Sequence, residues 1–114
     1  MKKIEALIKP YQLDPVKAAL YGRGLLPGIT ATELHSYARG VSERLIYRGA
    51  EQMVDLLPAM KIEIIAHDDL AARIVEVIAR TIGTGHTDNG EILLSAVAEA
   101  VRIRTGEIDE AAIG

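Results

Sequence analysis

The stretch KKIEALIKPYQLDPVKAAL, Lys2 to Leu20, returns in altered form as MKIEIIAHDDLAARIVEVI, Met60 to Ile78. Each copy opens with Lys-Ile-Glu inside an apolar, strand-like run, at Lys3-Ile4-Glu5 and at Lys61-Ile62-Glu63. Each then meets an acidic helix start. In the first copy Asp14 suits the N-cap, and Pro15 suits the first helical position, where its missing N–H costs nothing. In the second copy Asp68 or Asp69 takes that part. Val16, Ala19 and Leu20 follow at helical spacing, as do Leu70, Ile74, Val77 and Ile78, backed by Val75 and Ile82. Gly24 and Gly83 are the expected helix stops.

After each predicted helix comes another strand-like run. The first, ITATELHSY (Ile29–Tyr37), is rich in β-branched residues, although neither alternate set is cleanly apolar. The second, EILLSAVAEAVRI (Glu91–Ile103), follows Gly90, and its Leu and Val content favours a strand over a helix. The order β-α-β-β-α-β is the ferredoxin-like split arrangement, an α+β sandwich of one antiparallel sheet with two helices on one face. The other face then stays uncovered, and Leu7 and Ile65 would be exposed on it. An exposed apolar sheet face implies a partner surface, so a homo-oligomer is expected.

Bulk composition narrows the function. The 114 residues suit one domain spanning 1–114, with a core of Ile, Leu, Val and Ala, since four tyrosines are the only aromatic residues. A formal charge of −3 offers no basic field for nucleic acid. The absence of cysteine excludes disulfides, thiolate metal sites and a cysteine nucleophile. No run approaches the ~18 apolar residues of a membrane span. The N-terminal stretch is charged rather than signal-like. A cytoplasmic protein that is not membrane-embedded is the expectation.

Two connections stand out. ARGVSERLIYRGAEQMVDLLP, Ala38 to Pro58, is a long loop between the second and third strands of so small a domain. Its charges roughly cancel, and it carries Leu45, Ile46, Tyr47 and Met53. It reads either as a hairpin extension packed on itself or as an arm that docks on another protein. GTGHTDNGE, Gly83 to Glu91, has glycines that let backbone N–H groups turn toward an anion, with Thr84, Thr87 and Asn89 as further donors.

The C-terminal segment, 101–114, opens with VRIRTGE. If Val101–Arg104 is extended, Arg102 and Arg104 project from one face. Two guanidiniums and a glycine-rich loop together suggest a phosphate site. The alternative pairs these arginines with Glu99 or Glu107 on the surface. His35, His67 and His86 show no metal-ligand spacing, and Asp68, Asp69 and Glu76 read as helix caps and a solvated face. No metal site is expected.

YRGAE (Tyr47–Glu51), VDLLP (Val54–Pro58), KIEI (Lys61–Ile64) and VRIRTGE (Val101–Glu107), in this order and at these separations, resemble the PII nitrogen-regulatory signalling proteins. The beginning, MKKIEALIKPYQLD, and the end, DEAAIG, resemble that family too, so the likeness runs essentially end to end. The resemblance implies a homotrimer of ferredoxin-like subunits that binds adenine nucleotides in clefts between subunits. ATP, ADP or AMP would be the regulatory ligand, and no cofactor is required. Nucleotide contacts carried over by position are Thr30, Ser36, Ala38, Arg39, Ile65, Asp88, Asn89, Gly90, Arg102 and Arg104. The long loop, through Tyr47, Arg48, Gly49, Ala50 and Glu51, would report occupancy to a regulated enzyme or membrane transporter.

The chain departs from the family pattern at informative positions. Gly40 stands where the family has a glutamine that helps hold magnesium and 2-oxoglutarate. Ala59 replaces a lysine that grips 2-oxoglutarate. Glu91 replaces a lysine that contacts phosphate, and Gln52 replaces the tyrosine that accepts a nucleotidyl group. Nucleotide binding is therefore expected without 2-oxoglutarate synergy or uridylylation, with ADP or AMP favoured over ATP.

Other readings fit less well. An enzyme of the acylphosphatase kind wants an arginine in the first strand-to-helix loop, which here is KPYQLD, and no nucleophile–base pair appears elsewhere. The expectation is that the chain is not an enzyme. A base-stacking RNA-binding sheet wants aromatic side chains on its open face. A trimeric metal- or stress-responsive module that binds no nucleotide is the closest rival, with His86, Asp88 and Glu91 as its residues. Arg39, Arg102 and Arg104 argue against it, because bare cations repel arginines.

Overall fold

The structure, a computed structural model, describes residues 1–37, 43–47, 50–54, 56–83 and 90–113. Its strands are β1 (Lys2–Ile8), β2 (Thr30–Tyr37), β3 (Glu43–Tyr47), β4 (Ala50–Val54), β5 (Leu56–Ala66) and β6 (Ile92–Ala96). The helices are α1 (Leu13–Gly22) and α2 (Asp68–Ile82), with short 3-10 turns at Pro10–Gln12 and Asp109–Ala111. Four strands form one antiparallel sheet in the order β2-β5-β1-β6, and β3 pairs with β4 in a separate two-stranded sheet. This is the expected ferredoxin-like arrangement, with a hairpin inserted between its second and third sheet strands.

The two written-twice segments form the centre. In β1 and β5, alternate residues Ile4, Ala6, Ile8 and Met60, Ile62, Ile64, Ala66 turn to the helix side and are at most 8% exposed. Val16 and Leu20 of α1, one helical turn apart, and Ala71, Ile74 and Ile78 of α2, at three- and four-residue spacing, complete this cluster. Full burial of each large aliphatic side chain contributes about 1.5–3 kcal/mol.

The helix boundaries correct two expectations. Asp14 is in the first turn of α1, whose N-cap is Gln12; Gln12 Oε1 accepts the Lys9 N–H at 2.7 Å. His67 is the N-cap of α2, with Asp68 and Asp69 in its first turn. In both helices the carboxylates still oppose the positive end of the helix dipole. The stops are as expected. After α1, Gly24 adopts φ +66°, the Leu25 N–H reaches Leu20 O at 3.0 Å and the Gly24 N–H reaches Tyr21 O at 3.1 Å, a Schellman closure. Gly83, with φ +88°, ends α2.

Two bounds shift. The 38–58 connection contains a hairpin, β3–β4, as one of its two readings has it, but its last three residues, Leu56 to Pro58, already belong to β5. The final strand stops at Ala96 rather than continuing to Ile103. Among the described residues it pairs with β1, and that ladder closes with Ala96 opposite Lys2, followed by the Val97 N–H reaching Met1 O at 3.1 Å. Val101 to Ile108 instead folds into a tight turn. The Arg102 N–H reaches Glu107 O at 2.8 Å and the Gly106 N–H reaches Arg102 O at 2.7 Å, with Gly106 at φ +74°. Strand alternation therefore does not place Arg102 and Arg104 on a common face.

Candidate functional site

The helix-free face of the sheet carries the other alternate residues. Thr30, Thr32, Leu34 and Ser36 of β2 lie opposite Glu63, Lys61, Ala59 and Leu57 of β5. Lys3, Glu5 and Leu7 of β1 lie opposite Ile65, Glu63 and Lys61, and Ser95 and Leu93 of β6 lie opposite Lys3 and Glu5. Leu7 and Ile65 are only partly exposed, as are the charged residues between them.

The Lys-Ile-Glu triplets now have a structural meaning. The register sets Glu5 directly against Glu63, an arrangement of like charges that costs stability unless countered. The lysines counter it: Lys3 Nζ lies 3.0 Å from Glu63 and 3.4 Å from Glu5, and Lys61 Nζ lies 3.7 Å from Glu63. The hydrogen bond from Lys3 holds the Glu63 carboxyl below the usual carboxylate range. The same bond holds the Lys3 ammonium above its ordinary value.

Those predicted nucleotide residues that are described fall into two sets toward opposite ends of the sheet. β1 and β2 run in the same direction and finish at one end, where β5 and β6 begin. Ser36 and Gly90 are at that end. The Leu7 N–H reaches Glu91 O at 3.0 Å, and a Cβ on Gly90 would stand 2.8 Å from Leu7 O, so this position requires glycine for a close backbone approach. Thr30 and Ile65 are at the other end, flanking Glu63. The C-terminal turn with Arg102 and Arg104 is there too, because Glu110 Oε1 lies 3.9 Å from the Met1 amine, which also contacts Asp68 at 2.8 Å. That amine holds the Asp68 carboxyl below its ordinary range. The β6 ladder alone, Ile92 to Ala96, separates the two ends by ~13 Å at ~3.3 Å per residue.

Arg102 is partly buried, with its Nε donating to Ala112 O at 3.1 Å and standing 4.0 Å from Glu107. The surface alternative is thus realised in part for Arg102. Arg104 is exposed and has no ion pair among the described residues. A hollow of about 90 Å³ on the open face is lined by Glu5, Leu7, Lys61, Glu91 and Leu93. Small-molecule pockets occupy ~300–1,000 Å³, so this hollow admits part of a side chain and not a nucleotide.

Ala38, Arg39, Asp88 and Asn89, and the docking residues Arg48 and Gly49, lie outside the described residues, as do Gly40 and His86. Of the other docking residues, Tyr47 pairs with Ala50 at the last rung of the β3–β4 hairpin, and Glu51 is on the next rung opposite Ile46. Sequence reasoning does not single out Glu63, which lies opposite Thr30, or Lys3, which lies opposite Ile65; the repeated Lys-Ile-Glu was the available signal.

Comparison with known proteins supplies the family. The model of the family "Nitrogen regulatory protein P-II" matches residues 1–107. The chain is 51% identical over 107 residues to the nitrogen regulatory protein P-II of Bradyrhizobium diazoefficiens, covering 94% of this chain and 95% of that protein. It is 49% identical over 113 residues to nitrogen regulatory protein P-II 1 of Escherichia coli strain K12, covering 99% of this chain and 100% of that protein. The nitrogen regulatory protein P-II of Klebsiella oxytoca matches to the same extent, 49% over 113 residues. With the ferredoxin-like sheet, the inserted hairpin and this end-to-end similarity together, the chain belongs to the P-II family of nitrogen regulatory signal-transduction proteins.

Proposed function

We propose that this chain senses adenine nucleotides at sites shared between neighbouring copies of itself, and that the β3–β4 hairpin passes the occupancy of those sites to a partner, a nitrogen-metabolism enzyme or a membrane transporter. The carrying observation is the division of the candidate contacts into Ser36 and Gly90 at one end of the sheet and Thr30, Ile65, Arg102 and Arg104 at the other. Among the described residues of one chain, Gly90 and the arginines are held apart. Copies arranged head to tail bring them together, and a closed ring of such contacts is the trimer. Covering the open face would also bury Leu7, Ile65 and Leu93.

In this reading the arginines hold phosphate oxygens through charge-assisted hydrogen bonds, and the backbone N–H groups of the glycine-rich segment complete the anion cradle. The 2-oxoglutarate response is absent. Ala59 is 8% exposed and has no charge to offer a dicarboxylate, and Gly40 has no side chain to ligate magnesium. Gln52 has no hydroxyl to receive a nucleotidyl group.

Calorimetric titration with AMP, ADP and ATP, with and without magnesium and 2-oxoglutarate, tests the reading. Binding of an adenine nucleotide that Arg102→Ala abolishes supports it, as does an ATP affinity indifferent to 2-oxoglutarate. Failure of all three nucleotides to bind overturns it, and enhancement of ATP binding by 2-oxoglutarate overturns the account of Ala59 and Gly40. Deleting residues 43–54 should abolish capture of the regulated partner; undiminished capture contradicts the docking role.

A further inference from the structure

Two charges of opposite sign, each without an ion pair among the described residues, stand toward opposite ends of the sheet. Glu91 is exposed, its backbone is fixed to β1 by the bond to Leu7, and its carboxylate has no ion pair among the described residues. It borders the hollow whose other charges are already engaged: Glu5 with Lys3 at 3.4 Å, and Lys61 with Glu63 at 3.7 Å. At the far end, Arg104 is exposed on the C-terminal turn and also has no ion pair among the described residues, whereas Arg102 is tied to Ala112. Within one chain these charges are held apart by the length of β6 and more. Between two copies placed head to tail, the end of one that carries Glu91 meets the end of the next that carries Arg104.

We propose that Glu91 of one copy pairs with Arg104 of the neighbouring copy when the shared site is empty, so that the carboxylate stands in for the outermost phosphate of a nucleotide. The idea rests on the shared-site reading and adds a built-in competitor to it. A carboxylate and a phosphate oxygen offer a guanidinium the same geometry, so each displaces the other. A short phosphate chain is accommodated with the pair intact. A triphosphate must break it and face the Glu91 charge as well. The site therefore discriminates against nucleoside triphosphates, and the empty state is held together by a contact that a triphosphate alone must replace.

A charge-swap cycle on the full chain without nucleotide tests the pair. Dissociation of the assembly is measured by sedimentation for the unmodified protein, Glu91→Arg, Arg104→Glu and the double variant, with circular dichroism confirming that each folds. Each single change should weaken assembly about tenfold, and the double change should restore most of the loss, because the pair re-forms with reversed polarity. Losses that simply add in the double variant overturn the proposal, as does a monomeric unmodified protein. A second arm compares nucleotides: Glu91→Gln should bind ATP about tenfold more tightly, with a smaller gain for ADP. Equal or weaker ATP binding by Glu91→Gln, in a protein that binds nucleotide and loses it with Arg102→Ala, overturns the competitor role while leaving the shared site standing. If no nucleotide binds at all, the shared-site reading fails, and the swap cycle still decides the pair on its own.

Discussion

The two faces of the sheet are made by the same strands and obey different rules. On the helix side, Ile4, Ala6, Ile62 and Ile64 are at most 1% exposed and meet α1 and α2 of their own chain. On the open side, one residue away along each strand, Lys3, Glu5, Lys61 and Glu63 form ion pairs between partly exposed leucine and isoleucine side chains. The first face is complete in one chain, and its residues are chosen by volume. The second is mixed in polarity, with Ser36 near one end and Thr30 and Ile65 near the other. The proposed shared site makes this second face the one a neighbouring copy covers.

The contrast is broken most forcefully by truncation on the finished side. Ile62→Ala leaves a cavity in the fully buried cluster and should cost about 2–5 kcal/mol in denaturant unfolding, whereas its neighbour on the other face, Lys61→Ala, should cost far less. Equal losses would contradict the division of labour. Next in size is Gly90→Ala. Its new Cβ would press on Leu7 O at 2.8 Å, a backbone atom that cannot swing away, and should cost about 1–3 kcal/mol. Gly28→Ala, with open space around its Cβ position, is the control and should stay near neutral. A harmless Gly90→Ala would mean that the glycine loop is not anchored to β1 as described.

Smaller still is the pH dependence of the open-face ion pairs. The folded-state pKa of Glu63 is lowered by Lys3, so its stabilisation is present above the ordinary glutamate value of ~4.3 and is lost as pH falls through the lowered one. The raised pKa of Lys3 works in the opposite sense: its stabilisation is present below ~10.4 and is lost as pH rises through the folded value. In thermal melts, the advantage of the unmodified protein over Glu63→Gln should shrink in acid; a difference that persists there would contradict the Lys3–Glu63 pairing. The smallest effect belongs to the solvent side of α2, where Glu76 and Arg80 pair at 2.7 Å one turn apart and Glu76→Ala should cost about 0.3–0.5 kcal/mol.

The duplicated β-α unit was readable from sequence because its signals are local. Strand alternation in Ile4, Ala6 and Ile8, helical spacing in Ile74 and Ile78, and glycine stops at Gly24 and Gly83 all act within a few residues. The end of β6 was not readable. Val97 to Ile103 is apolar enough for a strand, but a strand lasts only as long as its pairing, and the β1–β6 ladder closes at the Lys2–Ala96 pair. Helix starts slipped by a residue or more because a 3-10 turn precedes α1 and His67, rather than an aspartate, caps α2. The chemistry of the candidate site was legible as residue types. Its division was not, since the separation of Gly90 from Arg102 follows from the antiparallel β1–β6 register and from the C-terminal turn's place beside Met1.

The central claim is that a complete nucleotide site draws on two copies of the chain, and subunit mixing tests it most directly. Arg39→Ala removes the candidate arginine that follows β2, and Arg104→Ala removes the one on the C-terminal turn. Each variant alone should bind adenine nucleotide weakly or not at all. Unfolded together and reassembled as mixed oligomers, they should regain a fraction of full-affinity sites by calorimetry, wherever the intact end of one variant meets the intact end of the other. If mixing restores no high-affinity sites although mixed oligomers form, both arginines serve the same chain, and the shared-site account is wrong.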